Sequence, residues 1–237
     1  MKYKAIIPAR YKSSRFPGKP LLNLKGKTMI YRVWEKAVKA MNYENVYIAT
    51  ESKIILGHCK KFTKNIIMTS ENCLTGTDRV AECFKKIDAD YIVNIQGDEP
   101  LIKPNDIKKV ILASKKYKQQ VINCMIKIKD NKEFQSKDIP KVVVDSHSNL
   151  LFMSRSPIPF NNFNNAFKQV CIYVFPKYSL RHFGPNKKKS KNEIIENIEI
   201  LRLLDNDIKI KMIKLKSQSY AIDRKKDISK VLKLITS

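Results

Sequence analysis

Apolar and polar positions follow two rhythms along this chain. Short apolar runs predict strands at residues 3–8, Asn45–Ala49, Ile66–Met68 and Asp90–Ile95. Between them, apolar residues recur every three or four positions and predict helices. The first covers Thr28–Met41, with Met29, Ile30, Val33, Trp34, Ala37, Val38 and Met41 on one face. Others cover Glu51–Phe62, Thr77–Ile87 (Val80, Ala81, Phe84 and Ile87 on one face) and Pro104–Lys115, where Pro opens the helix. The second half is less regular. Strands are expected at Val121–Ile128, Lys141–Asp145, Leu150–Ser154, Gln169–Phe175, Ile208–Leu215 and Ser219–Ile222, with a loop at Asn161–Asn165. The clearest helix pattern is Ser190–Leu204, striped by Ile194, Ile195, Ile198, Leu201 and Leu204, with Ser190 and Glu193 at capping-box spacing. Asp227–Leu234 reads as a closing helix.

Strand–helix alternation predicts an α/β fold with a mostly parallel central sheet and helices on both faces. No linker, repeat or low-complexity boundary divides the 237 residues. A single domain is expected, with residues 120–190 as a lobe inserted into the main sheet. In such sheets ligands bind outside the carboxyl ends of strands. Two polar segments fall there. One is the loop after the first strand, which carries Arg10, Lys12, Arg15 and Lys19. The other is the turn Gln96–Pro100, reading QGDEP.

Composition narrows the function classes. Apolar residues make up 43%, enough for a packed core. No run approaches the ~18–20 apolar residues that span a bilayer. The apolar stretch in MKYKAIIPAR is too short for a signal peptide, so a cytoplasmic protein without membrane insertion is expected. The five cysteines are an odd number, widely spaced and without CxxC, which fits idle thiols in a reducing compartment. A net charge of +25 suggests nucleic acid as a partner. However, 39 of the 47 basic residues are Lys, scattered and not interleaved with aromatics. A basic nucleic-acid-binding protein is therefore the reading from another class, and nucleic acid is not expected as the partner.

Four constellations carry chemistry. The first loop gathers cations suited to a polyanion, with Arg as a bidentate fork and Lys as a point charge. It has neither GxxxxGK[ST] nor GxGxxG, and it also describes an ordinary solvated loop. Asp98, at a strand end, suits Mg²⁺, which takes one or two carboxylates plus phosphate oxygens and water. Asp223 is the candidate for a second carboxylate, although a simple helix-entry Asp reads the same way. Arg155, before Ser156–Pro157, suits a carboxylate or phosphate, or merely ends a strand. Thr75–Arg79 offers a helix start whose N–H groups suit a polar ligand. The three histidines are scattered, so covalent catalysis by a Ser/His/Asp or Cys/His relay is disfavoured. Charge neutralisation of phosphate is the chemistry these residue types allow.

Together these segments resemble the 3-deoxy-manno-octulosonate (Kdo) cytidylyltransferases, or CMP-Kdo synthetases. The matching words are IIPARYKSSRFPGKPL (6–21), GKTMI (26–30), GTDRVAE (76–82), DYIVNIQGDEPLI (90–102), KVVVD (141–145), LLFMSRSPIPF (150–160), IENIEILRLLDN (195–206) and AIDRKKDI (221–228). They keep the family's order and approximate spacing over nearly the whole chain. The resemblance implies a nucleotide-diphospho-sugar transferase sheet of Rossmann-like type with a smaller dimerisation lobe, in a homodimer. It implies that CTP and Kdo give CMP-Kdo and diphosphate with Mg²⁺, for lipopolysaccharide or capsule. Arg10, Arg15 and Lys19 would hold the triphosphate, and Arg10, Lys19 and Asp98 would be catalytic. Lys12 sits at a variable place in the motif. Thr77, Asp78 and Arg79 would lie near the nucleotide, Gln96, Arg155 and Glu199 around the sugar acid, and Asp98 and Asp223 on the metal.

The chain also departs from the family pattern. Gln169–Val170–Cys171–Ile172–Tyr173 replaces a usual His–x–Gly–Ile–Tyr, placing Gln169 where the sugar acid is often contacted. Asn72–Cys73–Leu74–Thr75 lacks a usual His and Ser. Glu51 replaces an Asp, and Arg224 follows Asp223 where Thr is common. The changes at Gln169 and Arg224 keep 8-amino-Kdo, or another 2-keto-3-deoxy acid, open as the substrate. A nonulosonate enzyme would typically carry a different first loop.

Overall fold

A computed structural model describes residues 1–12, 16–160, 163–217, 220–222 and 224–235. Strands and helices alternate first: β1 (Tyr3–Pro8), a hairpin of β2 (Asn23–Leu24) and β3 (Lys27–Thr28), α1 (Met29–Met41), β4 (Val46–Thr50) and α2 (Lys53–Cys59). Then come β5 (Ile66–Met68), α3 (Gly76–Phe84), β6 (Tyr91–Ile95) and α4 (Pro104–Lys116). The second half holds β7 (Val121–Lys127), α5 (Asn131–Gln135), β8 (Lys141–Val144), β9 (Leu150–Ser154) and β10 (Phe167–Pro176). It closes with α6 (Lys191–Glu196), α7 (Leu201–Leu204), β11 (Ile210–Lys214) and α8 (Asp227–Leu234).

The main sheet runs β11-β7-β10-β6-β1-β4-β5. β1 pairs parallel with β4 and β6, β4 with β5, and β7 with β11. Only β10 along this path opposes its neighbours. Successive side chains of a strand point to opposite faces, and both faces are covered. Ala5 and Ile7 pack with Ile30, Val33 and Trp34 of α1 and Val110 of α4. Ile6 packs with Val80 and Ala81 of α3 and Leu201 and Leu203 of α7. This double burial explains why β1 reads as a continuous apolar run.

The expected lobe at 120–190 contributes β7 and β10 to the main sheet. β8 and β9 stand off the path, with β8 joined to β10 through only Phe167 and Lys168. A small separate core of Phe16, Leu24, Met29, Ile222, Val231 and Ile235 packs the end of the first loop against the C-terminal segment.

The expected helix over Ser190–Leu204 is broken. α6 ends at Asn197, which is left-handed (φ 51°), and a short α7 begins at Leu201. Asn tolerates that conformation better than other residues with a Cβ. The break turns Ile194 and Ile195 to solvent, so the expected apolar stripe does not form. The expected strand at Ser219–Ile222 is also not found among its described positions, 220–222. The helix expected from Glu51 starts at Lys53 because Ser52 caps it, its Oγ accepting from the Ile55 amide. The predicted loop at Asn161–Asn165 holds a short 3-10 turn, Phe163–Asn165, and its first two positions lie outside the described residues.

Candidate active site

A cavity of about 270 Å³ opens at the carboxyl ends of β1 and β6. Its lining includes Arg10, Lys19, Gln96, Asp98, Gln169 and Glu199. Close backbone approach forms its floor. A Cβ on Gly97 would lie 3.0 Å from the Pro8 carbonyl, and one on Gly76 would lie 2.9 Å from Gln96 Oε1. Backbone crowding at Gly97 leaves little room for any side chain, whereas at Gly76 the movable end of Gln96 would have to yield.

Lys19 begins a 3-10 turn, Lys19–Leu21, after Gly18 at φ 69°. Its Nζ donates to Asp98 Oδ2 (2.9 Å) and to the Ile222 carbonyl (2.8 Å). The Ile222 amide donates to the Asp98 carbonyl at 3.0 Å. The first loop, the QGDEP turn and the segment before residue 223 thus meet at one point. These oxygens already gather a positive group, and the Asp98 carboxylate is the kind of hard-oxygen donor that Mg²⁺ takes beside phosphate oxygens and water. Arg10 reaches the same cavity and donates from Nη1 to the Leu74 carbonyl (3.0 Å). Arg15 and Asp223, expected on nucleotide and metal, lie outside the described residues.

The GTDR segment divides its roles. Thr75 is the N-cap of α3, and the Asp78 carboxylate accepts from the Thr75 amide (2.9 Å) and hydroxyl (2.7 Å). This is a capping box, and it buries Asp78 completely. Arg79 is also buried, paired with Glu51 (2.9 Å) and donating to Thr69. Glu51 in turn accepts from the Tyr11 amide (3.0 Å), tying the first loop to α3. Asp78 and Arg79 therefore shape the cavity from behind, and Thr75 and Gly76 face it.

Glu199 binds the start of α3. Its carboxylate accepts from the amides of Gly76 (3.1 Å) and Thr77 (2.9 Å) and from the Thr77 hydroxyl (2.6 Å). The helix dipole favours an anion there. The break at Asn197 delivers Glu199 to this place. Arg202 fixes the break from outside the cavity, with Nε and Nη2 on Glu193 (2.6 and 2.8 Å) and Nη1 on Asp78 (2.7 Å). Sequence reasoning missed Arg202 and Glu193 because their link to Asp78 spans more than a hundred positions.

The sugar-side candidates are also brought to the cavity, with one qualification. The Arg155 guanidinium donates to the carbonyls of Glu196 (2.7 Å), Lys137 (3.1 Å), Asp138 (3.2 Å) and Asn197 (3.0 Å). It is thus a brace of the cavity wall. Lys141, expected only as part of a strand, is fully buried and donates to the carbonyls of Ser136 (2.6 Å), Ile139 (2.9 Å) and Arg155 (2.6 Å). Gln169 donates from Nε2 to Asn123 Oδ1 (3.0 Å) and Tyr173 Oη (3.1 Å). Asn123 spans an irregularity of β10, donating to the carbonyls of Val170 (3.0 Å) and Ile172 (2.9 Å). The buried Glu99 accepts from the Cys171 amide (2.7 Å). Burial holds the Tyr173 phenol well above its ordinary range. Asp138, also on the wall, pairs with Arg224 (2.8 Å).

A family model described as cytidylyltransferase matches residues 4–228. A 3-deoxy-manno-octulosonate cytidylyltransferase of Chloroherpeton thalassium is 38% identical over 98% of this chain and 96% of its own. One from Zea mays is 35% identical over 95% and 78%. Among solved structures, a CMP:2-keto-3-deoxy-manno-octonic acid synthetase complexed with CTP is 33% identical, with a TM-score of 0.89 over 99% of this chain and 98% of that one. HddC from Yersinia pseudotuberculosis, at 17% identity and a TM-score of 0.72, shares the fold.

Proposed function

Because the chain belongs to the 3-deoxy-manno-octulosonate cytidylyltransferases, within the cytidylyltransferase family, we propose that its cavity joins CTP to Kdo, giving CMP-Kdo and diphosphate. One observation in the fold carries the reading. Lys19 and Asp98, 79 positions apart, meet at 2.9 Å at the carboxyl ends of neighbouring parallel strands. A cation for phosphate and a carboxylate for metal then stand at one place.

In this reading Arg10, Arg15 and Lys19 hold the triphosphate and offset charge on the departing diphosphate. Thr75 and Gly76 present the start of α3 to the ligand, and Asp78 and Arg79 hold that helix in place. Asp98 and Asp223 would hold Mg²⁺, which when bound lowers the pKa of the anomeric hydroxyl and neutralises the reacting phosphate. Gln96, Gln169 and Tyr173 orient the sugar acid, with Arg155 keeping their wall rigid, and orientation supplies much of the acceleration. The anomeric oxygen–phosphorus bond forms as the bond to diphosphate breaks. We place the enzyme in the cytoplasm, supplying lipopolysaccharide or capsule synthesis, as a homodimer through the 120–190 region. Leu151 and Phe160, exposed there, are side chains that a second copy would cover.

A second substrate, 8-amino-Kdo, is favoured by Gln169. Its Nε2 is engaged by Asn123 and Tyr173, which leaves its carbonyl oxygen as the acceptor for a ligand amine. The test is diphosphate release from CTP and Mg²⁺ with Kdo, 8-amino-Kdo and a nonulosonate. Release with Kdo is expected. Release with 8-amino-Kdo alone would reassign the acid, and silence with all three would refute the activity. Asp98→Asn should lose at least about a hundredfold in turnover with an unchanged far-UV circular dichroism spectrum. Near-normal turnover would remove Asp98 from the site.

A further inference from the structure

We infer that Lys19 and the divalent metal compete for the same oxygens, so that the nucleotide, by drawing Lys19 onto its phosphates, opens Asp98 to the metal. The inference rests on the reading of Asp98 as a metal ligand and adds a loading order to it. The Lys19 ammonium is held by Asp98 Oδ2 at 2.9 Å and by the Ile222 carbonyl at 2.8 Å. A carboxylate and a carbonyl are also the groups a hard divalent cation selects, at about 2.1 Å for Mg²⁺. A second cation that close to an oxygen the ammonium already holds meets direct like-charge repulsion.

The backbone under Lys19 is fixed. The Gly18 amide donates to the Tyr11 carbonyl, and the Leu21 amide to the Gly18 carbonyl, both at 2.9 Å. The neighbouring Pro20 is buried. The four-carbon stem of lysine still lets its ammonium swing to a new acceptor without moving the main chain. Asp98 has less reach, because its carboxylate stands one methylene from a main chain pinned by the Ile222 amide at 3.0 Å. Phosphate oxygens arriving beside Lys19 would offer the ammonium a more highly charged partner than one carboxylate. Lys19 would thus move from the carboxylate to the phosphates, and metal and nucleotide would bind with positive coupling.

Mn²⁺, counted as the free ion by electron paramagnetic resonance, is the probe, with the full chain and no nucleotide. Lys19→Met should bind Mn²⁺ at least tenfold more tightly than the wild type. Arg10→Gln, which removes a charge from the same cavity without freeing Asp98, should gain at most about threefold from the weaker field. Lys19→Gln provides a second neutral variant, and circular dichroism checks the folding of each. Equal Mn²⁺ affinity in wild type and both Lys19 variants would overturn the competition, and so would equal gains at Lys19 and Arg10. Asp98→Asn separates the two levels of the reading. If it binds Mn²⁺ as the wild type does, Asp98 is not a ligand and the metal reading itself fails. If it loses Mn²⁺ while the Lys19 variants gain nothing, only the competition fails.

Discussion

Lys141→Met tests how a buried charge holds the wall of the cavity. The wild-type ammonium, at the start of β8, is the donor to three carbonyls, those of Ser136, Ile139 and Arg155. Burial first, and then the Arg155 guanidinium, push its pKa down from 10.5 to about 8. Methionine fills similar space and orphans the three carbonyls, at roughly 1–3 kcal/mol each. It also removes a charge whose displaced pKa corresponds to about 3 kcal/mol of burial penalty. At the middle of that range the difference is a loss of about 3 kcal/mol, or about 6–12 °C in Tm for a chain of this size. The pH dependence carries the sharper sign. Below about pH 8 both folded and unfolded wild type hold the proton, and the penalty is present in full. Between about pH 8 and pH 10.5 the unfolded chain holds more protons, so wild-type stability rises relative to the variant by up to about 3 kcal/mol, then levels off. Urea unfolding of both proteins from about pH 7 to pH 11 measures this difference. Parallel curves would refute the reasoning and show that the three carbonyls keep the ammonium charged throughout.

Arg202→Met leaves the carboxylates of Asp78 and Glu193 buried without their cation and should cost about 3–5 kcal/mol in urea unfolding. A loss under about 1 kcal/mol would show that Arg202 does not hold the broken helix. Gly76→Ala places a Cβ 2.9 Å from Gln96 Oε1. Gln96 should yield, raising KM for the sugar acid while the melting curve moves little, and an unchanged KM would take Gln96 off the substrate. Among the five cysteines, burial pushes Cys59, Cys73 and Cys83 up to about 12 and holds Cys124 well above its ordinary range. Cys171 lines the cavity and is only partly buried, so one fast thiol, absent in Cys171→Ala, is expected with a disulfide reagent near neutral pH. Two fast thiols would contradict the burial pattern.

The order of strands and helices was legible because local periodicity and burial coincide in the first half of the chain. β1, α1, β5 and α4 fall within a residue or so of where their patterns place them. The helix predicted over Ser190–Leu204 failed for a tertiary reason. Asn197 adopts a left-handed turn while Arg202 ties Glu193 to Asp78 and α3 draws in Glu199. No local pattern reveals that competition, and an apolar stripe containing Ile194 and Ile195 reads as core even when both face water. Site residues were legible by type but not by task. Lys19 and Asp98 reach the cavity as their chemistry suggests, and Gln96 and Gln169 as the family resemblance implies. Asp78 and Arg79 are consumed by a cap and a buried ion pair, and the Arg155 guanidinium by carbonyls. A sequence displays the valence of such groups, and only the fold determines which partners use it.

The reversed course of β10 has a consequence for how this protein can diversify. Its early residues, Gln169 and Cys171, lie at the end of the sheet where β6 finishes, since Ile172 pairs with Ile95 and Pro176 with Tyr91. The cavity is therefore furnished from several separate stretches of chain. Exits of β1 and β6 supply Arg10, Lys19 and Asp98, and the entry of β10 supplies Gln169 and Cys171. If the β10 entry contacts the sugar acid as proposed, substitutions there should retune its acceptance while leaving Arg10, Lys19 and Asp98 in place. That physical separation makes the β10 entry the place to introduce changes when redirecting the enzyme to a new acid.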